Sequence, residues 1–441
     1  MYLLGVLAVV LGILASIALH EIGHLVPAKR FGVKVTQYMV GFGPTIWSRR
    51  AGETEYGIKG IPLGGYIRMI GMFPPRRDGT RRSDESGRWA LIAEQARQDA
   101  QREVSPEDAD RLFYQRSVPQ RIVIMLGGPV MNLIVAVVLL AIVVCGFGVP
   151  TSVPRVQSVS SCVPDPQKPT DTSCPTGAAP SPAKSAGLQP GDQIVRYAGQ
   201  PVGSWAQVQR QIRANTGTPV EVVVLRDGHE VPLTVTPVVT KRPVVDDQGH
   251  AVTDASGAMR TTSAGFLGVG AATENVRQSV TVLPGLVGSA VAQTAAVVVV
   301  IPAKLVGLVD SLVTGTPRDP NGLVGLVGIG RLAGQAASSD GVGGGPPPTV
   351  ADRVAGLIGL IATLNIALFV FNLIPLLPLD GGHVAGAVWE GLRRQVARLR
   401  RRPDPGPVDI ARALPVAYGV ASLLVAMTVL LVYADIVSPV S

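Results

Sequence analysis

The chain has 441 residues, 47% of them hydrophobic and 16% charged, and a formal net charge of +8. A soluble chain is nearer about 25% charged, so the composition describes a membrane protein with a sizeable polar part. The basic residues sit beside apolar runs without interleaved aromatics, which argues against nucleic acid, and three cysteines are too few for a disulfide framework.

The first apolar run, residues 3–26 of a segment ending near 27, reads as an uncleaved membrane anchor. No Lys or Arg precedes it, and no small-residue cleavage site follows before its histidines. That run holds His20-Glu21-Ile22-Gly23-His24. Ionisable groups at membrane depth are costly and mark function. On a helix, positions i and i+4 share a face, so His20 and His24 reach one ion with Glu21 beside it. This is the H-E-x-x-H pattern of a Zn2+ site, with the two histidines as metal ligands and Glu21 as catalytic base.

Residues 28–120 are polar and dense in arginine. Within them, 56–69 reads as two short strands around a Pro/Gly turn, a hairpin spanning about 56–72 near the expected zinc depth. An exposed strand edge there would pair with an unwound substrate, making Gly64, Gly65 and Tyr66 candidate substrate-binding residues. A surface helix is expected over 89–111. The second span covers 122–149 of a segment 121–149. Its Gly127-Gly128-Pro129 interruption is followed by Asn132, a candidate for substrate contact or for hydrogen bonding between helices.

Residues 150–270 are expected outside the membrane as an α+β domain. Helical spacing runs over 202–214, and 220–225 with 231–235 forms a hairpin around Asp227-Gly228. An insertion at 160–180, rich in Pro, Ser and Thr, carries Cys162 and Cys174, which are expected to pair in an oxidising compartment. Segment 271–353 follows. Its apolar run 280–309 contains Pro284, Gln293, Pro302 and Lys304 and reads as amphipathic or interfacial, not as a span. The glycine-rich 321–334 lacks the Lys-Ser/Thr of a phosphate loop.

The third span, 354–380, runs through Asn372, Pro375 and Pro378 to Leu379-Asp380-Gly381-Gly382-His383. A catalytic zinc takes three protein ligands, and Asp380 supplies the third, with His383 as the competing choice. Asn372 is a candidate for substrate contact. His229 and His250 lie in polar stretches far from either group. Irregular backbone at the two prolines is tolerated at membrane depth only where it lines a cavity. An arginine-rich loop, 381–411, leads to the fourth span, 413–432 of a segment 412–435. The positive-inside rule places both arginine-rich stretches in the cytoplasm, so both termini and the 150–353 segment lie outside. The active site then sits near the cytoplasmic side of the cell membrane. The expected fold class is an α-helical membrane protein with four transmembrane helices, an extracytoplasmic α+β domain and a short membrane-associated β-hairpin.

Four motifs together resemble the site-2 protease family of intramembrane zinc metalloproteases, of the bacterial regulator-of-sigma-factor type. They are His20–His24, Ile61-Pro62-Leu63-Gly64-Gly65-Tyr66, Gly128-Pro129-Val130-Met131-Asn132, and Asn372 with Leu379-Asp380-Gly381. The stretch from Ser181 through Gln189-Pro190-Gly191-Asp192 looks like a PDZ domain, a fold that captures peptide ends by strand addition. The family resemblance implies zinc at His20, His24 and Asp380, with Glu21 as base. It also implies cleavage within the transmembrane segment of a single-pass protein, usually an anti-sigma factor, already trimmed by an upstream site-1 protease. Two other readings stand beside it: a catalytically silent PDZ-bearing scaffold, and a zinc peptidase acting on membrane-surface peptides. Glu21 argues against the first, and the depth of the motif against the second.

Overall fold

A computed structural model describes residues 1–75, 88–102, 104–163, 174, 177–215, 217–244, 252, 260–319, 322–338 and 348–439. The chain forms two compact units, Met1–Phe147 with Ser279–Ser441, and Gly148–Gln278. Most of the 160–180 insertion, the 339–347 connector, His250 and four of the arginines after residue 75 lie outside the described residues.

The first unit is built on α1 (Tyr2–Arg30), α3 (Val118–Ala141, continued as a π-helical stretch to Phe147), α6 (Leu283–Thr314), α8 (Val350–Asn372) and α10 (Leu414–Val437). Each is long and apolar enough to cross a membrane, which gives five such helices among the described residues. The run 280–309, expected to be amphipathic or interfacial, lies in a helix that continues unbroken through Pro302 and exposes valines on several sides, including Val297, Val299, Val306 and Val313. Proline removes one backbone bond from a helix but ends it only where packing or solvent favours another course.

Helix directions follow from side-chain contacts. Gly12 faces Ile361, and the amide of Asn365 donates to Ser16 Oγ at 2.8 Å, so α1 and α8 run parallel. Gly23 faces Gly127 and His20 faces Asn132, so α3 runs antiparallel to α1. A Cβ on Gly23 or Gly127 would strike the carbonyl of the other, and only glycine permits this crossing. Small residues at such contacts let backbones meet where no hydrophobic force drives association.

Between α1 and α3, β1 (Val35–Ala51) pairs antiparallel with β2 (Thr54–Met69). The expected hairpin within 56–69 is therefore not what forms. The reversal lies at Gly52, and 56–69 is one continuous bent strand whose partner precedes it. Because both strands bend, 35–42 pairs with 61–69 on one side and 55–58 on the other, while 45–51 pairs with 54–59. The result is four rows, with 61–69 at one edge. Gly41, Gly43 and Gly64, all at positive φ, mark the bends.

The shorter helices of this unit are α2 (Arg88–Arg102), α7 (Leu326–Ser338) and α9 (Asp380–Leu399). Two expectations are corrected here. The third span ends at Asn372, not at 380, because Pro375 and Pro378 interrupt it. The segment taken as an arginine-rich loop is instead a 20-residue helix whose first residue is Asp380. A buried ion pair, Arg121 with Glu390, ties α3 to α9. A second, Arg318 with Asp435 at 3.0 Å, holds the end of α10, where Asp435 also accepts from the backbone N–H groups of Gly325 and Gly328 at the start of α7.

The second unit is a twisted sheet of β3 (Val149–Val159), β4 (Gln193–Tyr197), β5 (Gln200–Pro201), β6 (Val220–Arg226), β7 (His229–Val235) and β10 (Val269–Val276). Its order is β10-β3-β4-β6-β7, with β5 paired to β4. A separate ribbon joins β8 (Val238–Pro243) to β9 (Thr261–Phe266), and α4 (Pro182–Ser185) and α5 (Trp205–Ala214) complete the unit. Asp227 and Gly228, both at positive φ, form the tight turn between β6 and β7. Val156, Ile194, Tyr197, Val208, Val222 and Val224 lie in its core. Asp192, buried at 1% exposure, accepts from Arg226 through both Nε and Nη2 at 2.7 Å. Cys162 and Cys174 are joined as a disulfide.

Candidate metal centre

Three side chains from two distant parts of the chain converge in the first unit. His20 and His24 lie one turn apart on α1, with their Nε2 atoms 3.2 Å from each other. Asp380, the first residue of α9, places Oδ2 3.3 Å from each of those nitrogens. A tetrahedral zinc with ligands at about 2.0–2.1 Å has ligand–ligand edges of roughly 3.3–3.4 Å, so the three separations fit one ion. Asp380 Oδ2 is buried without a hydrogen-bond partner, so the oxygen nearest both imidazoles is left for a cation.

The remaining ring nitrogens are held from α3. His24 Nδ1 donates to the Ile124 carbonyl at 2.7 Å, which leaves the Nε2 lone pair toward the cluster. His20 Nδ1 lies 3.0 Å from the Asn132 amide nitrogen, while Asn132 Oδ1 is buried with no partner. Turning this amide by half a turn presents Oδ1 to His20 Nδ1–H as its acceptor and gives the buried oxygen a partner. Gly128 makes the approach possible. A Cβ there would collide with His24 Nε2 and lie 2.7 Å from His20 Nε2.

Glu21, 7% exposed, projects from α1 beside the cluster, with the backbone of Ile67 in β2 against its carboxylate. Gly65 brings the strand in close, since a Cβ there would lie 3.0 Å from Glu21 Cγ. Tyr66 stacks on Phe42, with ring centroids 6.1 Å apart, and Gly64 abuts the same ring.

The structure thus brings His20, His24, Asp380, Glu21, Asn132 and Gly65 together. Asn372 ends α8 and takes no part in the cluster's hydrogen bonds among the described residues. His383 lies a turn beyond Asp380, partly buried and with its Nδ1 atom enclosed and unpartnered, and is not one of the three converging ligands. Sequence reading missed the Ile124 carbonyl, which no side-chain pattern announces. It also missed the packing role of Gly23 and Gly128, and the buried Ser16–Asn365 pair one turn above His20.

Residues 8–402 match the model of peptidase family M50. The chain is 33% identical over 448 residues to zinc metalloprotease Rip1 of Mycobacterium tuberculosis, covering 100% of this chain and 99% of the relative. It is 29% identical over 392 residues to metalloprotease MmpA of Caulobacter vibrioides, covering 87% and 85%. Over 271 residues it is 28% identical to zinc metalloprotease RasP of Geobacillus kaustophilus, covering 51% and 60%. On these matches the chain belongs to peptidase family M50, the site-2 protease family, and is a zinc metalloprotease of multi-pass membrane character.

Proposed function

We propose that this protein hydrolyses a peptide bond inside the membrane-spanning segment of a single-pass membrane protein. The observation that carries this reading is the position of the three converging ligands, two of them within the apolar helix α1 and packed against the apolar helix α3. His20, His24 and Asp380 hold the zinc. When bound, the metal acidifies a water molecule and polarises the scissile carbonyl. Glu21 accepts the proton of the attacking water and returns it to the departing amine. Asn132 fixes the ring of His20 and is a positioning residue. Asn132→Asp keeps an acceptor and should keep zinc, whereas Asn132→Leu should weaken zinc binding about 10–100-fold, as metal titration of the purified variants measures.

A spanning helix must unwind before cleavage, because its peptide groups are bonded internally. Among the described residues the 61–69 row of β2 has a strand neighbour on one side only, and it passes beside Glu21, which favours strand addition there as the way an unwound substrate is held. Gly64, Gly65 and Tyr66 keep that role in the proposal.

Four of the five apolar helices cross the bilayer in this reading. α1 and α8 are parallel and α3 runs against them, so an even number of crossings separates α3 from α8. Among the described residues α6 is the only helix of that stretch long enough to cross. α7, with 13 residues, is about 20 Å long against a core of about 30 Å. Leu308 and Leu312 near the end of α6 also pack against Leu431 and Ala434 at the end of α10. The earlier part of α6 packs against Ala136, Ile366 and Val370 of α3 and α8. By the parity of crossings α6 is assigned as lying against the bundle without completing a crossing, both termini are assigned to the outside, and the metal-bearing end with its arginines to the cytoplasm. The second unit is assigned as a PDZ domain. The substrate class is a protein already shortened by another protease, an anti-sigma factor by family resemblance.

The test is cleavage by the reconstituted full chain of a spanning substrate against the same sequence as a free peptide in detergent-free buffer. Cleavage confined to the spanning form is expected. Equal rates on the free peptide would replace this reading with a surface peptidase.

A further inference from the structure

α9 leaves the metal centre at Asp380 and shows three distinct faces. One is buried: Gly381, Ala387, Glu390 and Ala397 face inward, and Glu390 pairs with Arg121 and, at 3.0 Å, with Arg394. A second is an apolar stripe in the open. Trp389 is 55% exposed, Leu392 51%, Val396 38% and Leu399 78%. Their spacing of three and four residues places them on one side of the helix. The third is basic: Arg393 on the helix, with Arg400 and Arg402 just past its end, meets Trp389, Leu392 and Val396 in an open cleft of about 320 Å³.

The arginines of this region divide into two sets. Arg394 is used by the fold, bonded to Glu390 and lying 3.5 Å from Asp404. Among the described residues the guanidinium groups of Arg393, Arg400 and Arg402 form no ion pair, although Asp404 stands two residues from Arg402. The positive-inside rule accounts for arginines anywhere in a cytoplasmic segment, but not for three of them gathered against an exposed Trp/Leu/Val stripe. An interfacial helix has this composition: apolar residues and Trp toward the acyl chains, basic residues toward headgroups. An acidic polypeptide would answer the arginines but leave the stripe uncovered.

We propose that this cleft is a binding site for an anionic phospholipid of the leaflet at the metal-bearing end. Its phosphodiester is held by Arg393, Arg400 and Arg402, and its acyl chains lie along Trp389, Leu392, Val396 and Leu399. The proposal rests on the membrane reading of the chain and is independent of its substrate. Since α9 begins with a metal ligand, a lipid seated here would also bear on how that ligand is held.

The full chain, purified in neutral detergent and stripped of lipid, is titrated with phosphatidylglycerol and with phosphatidylcholine and followed by native mass spectrometry. Phosphatidylglycerol should bind about tenfold or more tightly than phosphatidylcholine, and the R393Q/R400Q/R402Q variant should lose that preference while keeping zinc and helical content. An unchanged preference in that variant overturns the site. Should the variant not fold, a photoreactive phosphatidylglycerol on the wild-type chain decides. Crosslinks within 389–402 support the proposal, and crosslinks only elsewhere overturn it. Displacement of the lipid by inorganic phosphate, or by an acidic peptide at equal concentration, would reassign the cleft to a soluble anion or to a polypeptide and equally overturn it.

Discussion

Glu21→Gln should leave the protein folded and loaded with zinc, and lower its cleavage rate by about 10²–10⁴-fold, the range over which a positioned general base acts. The substitution preserves size and shape at a site that is only 7% exposed, so packing against Gly65 and the backbone of Ile67 changes little. What is lost is the capacity to accept a proton. The pairing of two measurements makes the test sharp: metal content by elemental analysis, and cleavage of a spanning substrate. A variant that keeps zinc and cleaves within a few-fold of the wild type would remove Glu21 from the chemistry. A variant that loses zinc as well would show that the carboxylate matters to metal binding rather than to proton transfer.

The second large effect is expected from a residue with no chemistry of its own. Replacing a helical glycine by alanine in an open position stabilises the helix by about 1 kcal/mol. Gly128→Ala should do the opposite to the metal site, because the added methyl would overlap His24 Nε2 and sit 2.7 Å from both Cε1 and Nε2 of His20. Neither ring can retreat freely. His24 is fixed to the Ile124 carbonyl at 2.7 Å, and His20 lies against Asn132 at 3.0 Å. Zinc content and cleavage should fall to background while circular dichroism still reports helix. Gly356→Ala is the matched control, since a Cβ there meets nothing within 4 Å and should leave both readings unchanged. Full zinc occupancy in Gly128→Ala would mean that α3 does not abut the histidines as described.

Both experiments probe one arrangement: two short motifs held together by a third helix that supplies backbone contact instead of ligands. In such a site ligand geometry depends on helix–helix separation, and that separation is set by glycines. The pairs Gly23 with Gly127 and Gly128 with the two imidazoles therefore act on the metal through distance alone.

The three side chains that converge were legible in the sequence because their information is local. The i, i+4 spacing of His20 and His24 fixes a shared helix face whatever the rest of the chain does, and an isolated carboxylate after a long apolar run is conspicuous at Asp380. Apolar length alone located α1, α3, α8 and α10, since a helix in lipid must satisfy its own backbone. The type I′-like turn at Asp227-Gly228 was visible for the same local reason.

What stayed hidden depended on pairing between distant segments. Nothing in 56–69 says that its partner is 35–42, because strand register is decided by which faces are buried after folding. The helix starting at Asp380 was obscured by two following glycines and a density of arginines, and the pairing of its Glu390 with Arg121 on α3 joins segments far apart in the chain. Asn132 was recognised from its polarity, but its place beside His20 Nδ1 required α3 to run antiparallel to α1 at glycine-to-glycine contact. The residue types needed for the chemistry were thus set by sequence spacing, while the distances that let them act on one ion were set by packing, which operates between groups that the chain order keeps apart.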